Sequence, residues 1–230
     1  MTDKELRLIM GELMYDAQNG EELYRRALKY RNAYTEAAEE DNTDEVATIY
    51  LSAAYAAFME GYANEQLCRD IAFFLRKGYR LPVRSETDNT YILTAVLQYG
   101  VEHFESAWCA QIMLSMYRDG TIEGDKDIEW QWLIRAAELG SHGAQTDLGY
   151  ELCKMDRQYD AEEWFLAAAE QGNVQAMYNL GVLYQGSCFC DYPKAGYWFD
   201  QAARNGSESA ERQLRNYVYN QKYQKWLKKM

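Results

Sequence analysis

Three stretches in the C-terminal half of this 230-residue chain end on one signature. They are Trp132 with Ala136-Ala137 and Gly140, Trp164 with Ala168-Ala169 and Gly172, and Trp198 with Ala202-Ala203 and Gly206. The intervals between tryptophans are 32 and 34 residues, and those between glycines are the same. Four residues past each glycine stands an alanine: Ala144, Ala176 and Ala210. A fixed period of this length marks a stacked array, in which no single unit buries its apolar face alone. The feature also limits what else the chain can be. Two prolines in the whole sequence favour long helical runs, because proline breaks helices. The 20 tyrosines and 6 tryptophans supply too much apolar surface for a disordered chain.

Each residue type in the signature suits stacking. Alanine where helices cross lets two backbones approach closely. The terminal glycine suits a left-handed helix stop. The tryptophan is expected to fill the space between successive hairpins, so Trp164→Ala should cost about 3–5 kcal/mol.

Around this core the pattern is helical throughout. Thr2 and Glu5 form a capping box ahead of Leu6, Ile9, Met10 and Leu13. A second helix carries Leu23, Ala27, Tyr30 and Tyr34. An acidic run over 39–45 reads as a solvated turn. The segment 46–62, rich in Ala and Tyr, predicts a helix buried on more than one side. Asn64 is placed to cap a helix carrying Leu67, Cys68, Ile71, Phe74 and Leu75. A stretch over 79–89 with Pro82 is the best candidate boundary. The expected division is therefore an N-terminal helical region over 1–89, repeats over 90–207, and a closing helix over 208–230. Counting back from Gly78 and Gly61 puts Phe74-Leu75 and Ala57-Phe58 where Ala-Ala stands elsewhere. Residues 1–89 are then either eroded hairpins or a separate cap, with eroded hairpins favoured.

These residues resemble the Sel1-like repeat family, a relative of the tetratricopeptide repeat. The third unit matches best, with Ala176, Leu180-Gly181, Tyr184, Asp191, Lys194-Ala195, Trp198-Phe199, Ala202-Ala203 and Gly206. The first keeps Tyr117, Gly120, Asp125, Trp132 and Ala136-Ala137 but has Met113-Leu114 in place of Leu-Gly. The second keeps Leu148-Gly149, Ala161, Trp164-Phe165 and Ala168-Ala169, with Cys153 read at the tyrosine position. The resemblance implies an all-α, right-handed superhelical solenoid of antiparallel helix pairs. It also implies an adaptor that binds peptides, partner proteins or bacterial cell-wall-related components without catalysis. In such repeats the first helix of each pair lines the concave face. Carried over here, the partner-binding residues are Gln111, Ser115, Arg118, Thr146, Tyr150, Tyr178, Val182 and Gln185.

Charge narrows the partner. With 36 acidic and 24 basic residues the formal charge is −12, which disfavours nucleic acid and biases toward basic proteins or peptides. A toxin-neutralising immunity protein falls within this class. Stack ends also leave room for a homo-oligomer. The start of the chain lacks a secretory core, and the uncharged, Ala- and Tyr-rich run 47–59 falls short of the roughly 20 residues a spanning helix needs. A cytoplasmic protein with no transmembrane segment is expected.

Chemistry is sparse in the sequence. The five cysteines are odd in number and irregularly spaced, which reads as reduced, mostly buried thiols. His103 and His142 are the only histidines, neither placed to activate a thiol. Cys188 and Cys190 have no second pair to complete a zinc site. No metal, cofactor or catalytic residue is assigned. The competing reading is an enzyme or redox protein with its site in the N-terminal half or at Cys188 and Cys190.

Overall fold

The computed structural model describes residues 19–36, 43–81 and 89–219, together with positions 9, 11–13 and 17. The capping box at Thr2, most of the acidic run and the lysines near the C-terminus lie outside the described residues. Every regular element among the described residues is an α-helix. The chain divides into two compact units, Met1–Glu123 and Gly124–Met230. The division falls between the two helices of the first repeat, a matter of contacts and separate from where the sequence pattern begins.

The first unit holds α1 (Gly20–Glu36), α2 (Thr43–Met59), α3 (Glu65–Arg76), α4 (Asn89–Phe104) and α5 (Ala107–Arg118). Each packs on the next, and α3 also touches α5. The helix α2 is enclosed on several sides, as its composition requires: Ala47, Tyr50, Leu51, Ala53, Ala54 and Ala57 are all fully buried. Asn64 caps α3, its side chain accepting from the Leu67 amide at 2.8 Å.

One feature of this unit breaks the apolar pattern. Asp70 lies on the buried stripe of α3 and is only 6% exposed. Its carboxylate accepts from Tyr50 at 2.5 Å, from Gln66 at 2.7 Å and from Tyr24 at 3.3 Å, and it pairs with Arg31 at 3.1 Å. A buried charge survives only when paired and hydrogen-bonded, and here all its partners are supplied by α1, α2 and α3. Burial, reinforced by Asp70, pushes the Tyr50 phenol far above its ordinary value.

The second unit holds α6 (Lys126–Glu138), α7 (His142–Lys154), α8 (Gln158–Glu170), α9 (Val174–Gln185), α10 (Tyr192–Arg204) and α11 (Glu208–Tyr219). Successive helices pack in series, and α7 also reaches α9, its counterpart one repeat on. The joints explain the signature. Gly140, Gly172 and Gly206 have φ of 93°, 85° and 91°, a region that only glycine enters cheaply. At each, the glycine amide donates to the second alanine of the pair and the following amide donates to the first, a Schellman closure. That following residue then caps the next helix: Ser141 accepts from Ala144, Asn173 from Ala176 and Ser207 from Ala210. So the alanines, the glycine and the alanine four residues on belong to one hydrogen-bonded joint. In the first unit Gly78 and Gly61 close their helices in the same way, onto Phe74-Leu75 and Ala57-Phe58.

Three sequence expectations need correction. The tryptophans are only half-buried; the aromatic that fills the stack is the next residue, Phe165 at 2% and Phe199 at 0% exposure. The glycine of each Leu-Gly pair makes room for it, since a methyl at Gly181 would lie 2.5 Å from the Phe199 ring and one at Gly149 would lie 2.7 Å from Phe165. The tyrosine position of the second repeat belongs to Leu152, buried like Tyr184, because both stand three residues past the paired glycine. Cys153 lies one residue further, and α7 ends at Lys154, the chain turning away through Asp156, whose φ is 57°. Finally, the thiols are not mostly buried: Cys68 and Cys109 are, but Cys153 is half-buried and Cys188 and Cys190 are exposed, all of them free.

Candidate functional site

The first helices of the second and third repeats, α7 and α9, carry matching positions on one face. Thr146 and Tyr178 correspond, as do Tyr150 and Val182, because each pair stands at the same distance from its Leu-Gly. Between these helices lies a pocket of about 460 Å³. Tyr150 and Cys153 of α7 line it, with Tyr178, Asn179, Val182 and Leu183 of α9. Its floor is Phe165 of α8, the same ring that presses on Gly149. Gln158 of α8 and Gly186, Ser187 and Cys188 of the turn after α9 complete the lining.

The walls are held by the core behind them. The Tyr178 ring leans on Phe199, with centroids 5.6 Å apart. The turn after α9 is pinned on both sides: Phe189 packs against Tyr159 at 5.0 Å and Tyr184 at 5.4 Å. The Tyr184 hydroxyl donates to Glu162, and burial together with that carboxylate holds its phenol well above the ordinary range. The Tyr159 phenol is also pushed up, first by a hydrogen bond with the Cys188 thiol. At the rim, Tyr150 and Val182 are 54% and 44% exposed. Exposed bulky apolar groups around a largely apolar pocket make this face the candidate site.

Among the described residues, no charged side chain lines the pocket. Its polar groups are partly engaged already: Asn179 accepts from Gln175 at 3.0 Å, and Gln158 donates to Asp156 at 3.4 Å. Nor does the half-buried Cys153 thiol suit a nucleophile, since burial pushes it up, away from the thiolate form. Among the described residues, no three His, Cys, Asp or Glu side chains group as metal ligands do. No described helix is long and apolar enough to cross a membrane.

The eight residues expected to bind a partner have different positions. Tyr150, Tyr178 and Val182 come together in the pocket. Thr146 is 5% exposed and its hydroxyl donates to the His142 carbonyl, so it faces inward. Gln185 is half-buried beyond the pocket lining. Gln111, Ser115 and Arg118 belong to α5 in the other unit; Ser115 donates to Ile112 of its own helix and Arg118 is exposed. The sequence reading missed Cys153, Gln158 and Asn179 and placed Cys188 in a rival site. A flank of Asn and Leu beside Tyr178 and Val182 would have flagged one of them; Cys188 sits in a turn and carries no periodic signal.

Serial antiparallel helices joined by shared cap residues define a stacked helical-repeat protein. The particular fold is that of Sel1-like repeats. The chain is similar to the crystal structure of a Sel1 repeat protein from Oxalobacter formigenes, at 19% identity over 91% of this chain and 86% of that one, with a TM-score of 0.60. It is also similar to c5321, a protective antigen of uropathogenic Escherichia coli displaying an SLR fold, at 18% identity and TM-score 0.58 over 85% of this chain and 48% of the antigen. The immunity protein PA5088 from Pseudomonas aeruginosa is a looser match, with a TM-score of 0.47 at 21% identity over 80% of this chain and 66% of that one, too distant to bear on role. No family model matches the sequence.

Proposed function

We propose that this chain is a non-catalytic interaction module that holds a protein or peptide against the face presented by α7 and α9. The observation that carries the reading is the pocket of about 460 Å³ with Tyr150, Tyr178 and Val182 around it and no charged wall. Aromatic groups in water-excluding pockets supply most of the binding energy in protein interfaces. Gln111, Ser115, Arg118 and Gln185 extend the same role along their own helices. The module works as an adaptor or regulator in a reducing, cytoplasmic setting, a placement supported by the buried free thiols Cys68 and Cys109. Neutralising a basic toxin is the special case that the charge of −12 favours. Residues 1–89 are eroded hairpins in this reading, supported by the shared closures at Gly61 and Gly78.

The experiment is affinity capture followed by calorimetry with the captured protein, using the wild type and a Tyr150→Ala/Tyr178→Ala double variant. A partner whose affinity falls at least about tenfold in the variant, with its circular dichroism unchanged, supports the reading. Equal affinity overturns the assignment of the face. Self-association with the same loss would make the partner a second copy.

A further inference from the structure

We infer that the pocket between α7 and α9 anchors one bulky apolar side chain of a basic peptide segment. The inference rests on the proposed binding role of this face and specifies the chemistry of its occupant.

The pocket interior selects an uncharged anchor. Burying a charge against these walls would leave it unpaired, at a cost that excludes it. The walls offer rings, aliphatic carbons and sulfur from Phe165, Leu183, Val182, Tyr178 and Cys153. The polar side chains Asn179 and Gln158 already hold neighbours and would orient a small polar metabolite poorly. Next to the lining, Met155 and Tyr159 stand 53% and 66% exposed on the turn from α7 to α8 and its first residues. A single side chain can fill the pocket while its neighbours lie across this apolar rim.

The surroundings select basic flanks. The span from His142 to Asp191 supplies every lining residue and carries eight acidic side chains against two basic ones. Three of the acids are paired, Glu151 with Lys154 at 2.7 Å, Asp160 with Arg157 at 2.6 Å and Asp191 with Lys194 at 3.9 Å, and Lys154 also lies over the Tyr150 ring at 4.4 Å, which leaves an excess of carboxylates around the pocket. An uncharged pocket in an acidic field attracts cationic segments and repels anionic ones, without placing any cation inside the pocket.

The test is selection from a random phage-displayed peptide library on the full chain, followed by anisotropy with the enriched peptides. Enriched sequences should carry Lys or Arg on either side of one Phe, Trp, Leu or Met. Replacing that residue by Ala should weaken binding about tenfold or more. Val182→Lys, at a partly exposed site that tolerates a polar side chain, should do the same by adding like charge at the rim. Raising NaCl from about 50 mM to about 500 mM should weaken binding several-fold. Peptide should also slow alkylation of Cys188, which lines the pocket, more than that of Cys190, which does not. Enriched peptides that are acidic, or that lack an apolar position, would overturn the inference and leave the binding role standing. So would a captured protein partner retained by folded Val182→Lys. If no peptide enriches and no protein is captured, both the inference and the binding role fail.

Discussion

At the scale of single residues, the unexpected division is between a tryptophan and the phenylalanine after it. Phe199 is fully buried against Gly181, whereas Trp198 keeps part of its surface in water. Phe199→Ala should therefore cost about 3–5 kcal/mol and Trp198→Ala clearly less, read by urea denaturation. Equal losses would mean that the half-exposed tryptophan carries more packing than its burial suggests. Gly181→Ala should cost about 1–3 kcal/mol, because its methyl would meet the Phe199 ring at 2.5 Å. The opposite sign is expected at Asp156, whose φ of 57° strains any residue with a Cβ. Asp156→Gly should stabilise by about 0.5–1 kcal/mol, and a loss would show that the carboxylate has a duty beyond the turn. The sequence made the tryptophans conspicuous because tryptophan is rare and they keep strict period. It could not show which of two adjacent aromatics points inward, since that depends on the angle at which α9 meets α10.

Among elements, two kinds of connection hold the chain. One is the three-part joint of alanines, glycine and cap residue, local in sequence and so readable from it. The other is the Asp70 network, which draws Tyr24 and Arg31 from α1, Tyr50 from α2 and Gln66 from its own helix. Its partners are scattered over the sequence with no period. The one available hint was a carboxylate three residues past Leu67 and four before Phe74, on the stripe that should be apolar. Asp70→Asn should cost about 2–3 kcal/mol, because an amide cannot serve the phenols and the guanidinium together. A change below about 0.5 kcal/mol would mean that water replaces the carboxylate without loss. The candidate site shows the same divide between local and distant. Tyr150, Tyr178 and Val182 were within reach of the sequence because the resemblance singles out the first helix of each pair. Phe165 and Cys188 were not, because a floor from another helix and a wall from a turn meet them only in the folded chain.

For the whole molecule, buried hydroxyl and thiol groups set the response to alkali. Burial pushes Cys68 up to about 12, and Cys109, Tyr24 and Tyr50 shift in the same direction. Above about pH 9 the unfolded chain releases these protons while the folded chain keeps them, so stability falls as pH rises. The urea midpoint should drop between about pH 8 and about pH 10.5, and a flat profile would show that water reaches these groups. The joints have a different consequence for how such a chain lengthens or shortens. Ser141, Asn173 and Ser207 each finish one helix and begin the next, so a residue inserted there would destroy two ends at once. The connection from α9 to α10, by contrast, puts five residues, 186–190, between the end of α9 and the cap at Asp191, although the Asp191 amide also donates back to Tyr184. Added residues should therefore cost the stack less inside a hairpin than between hairpins, though in the turn over 186–188 they would do so at the expense of the pocket.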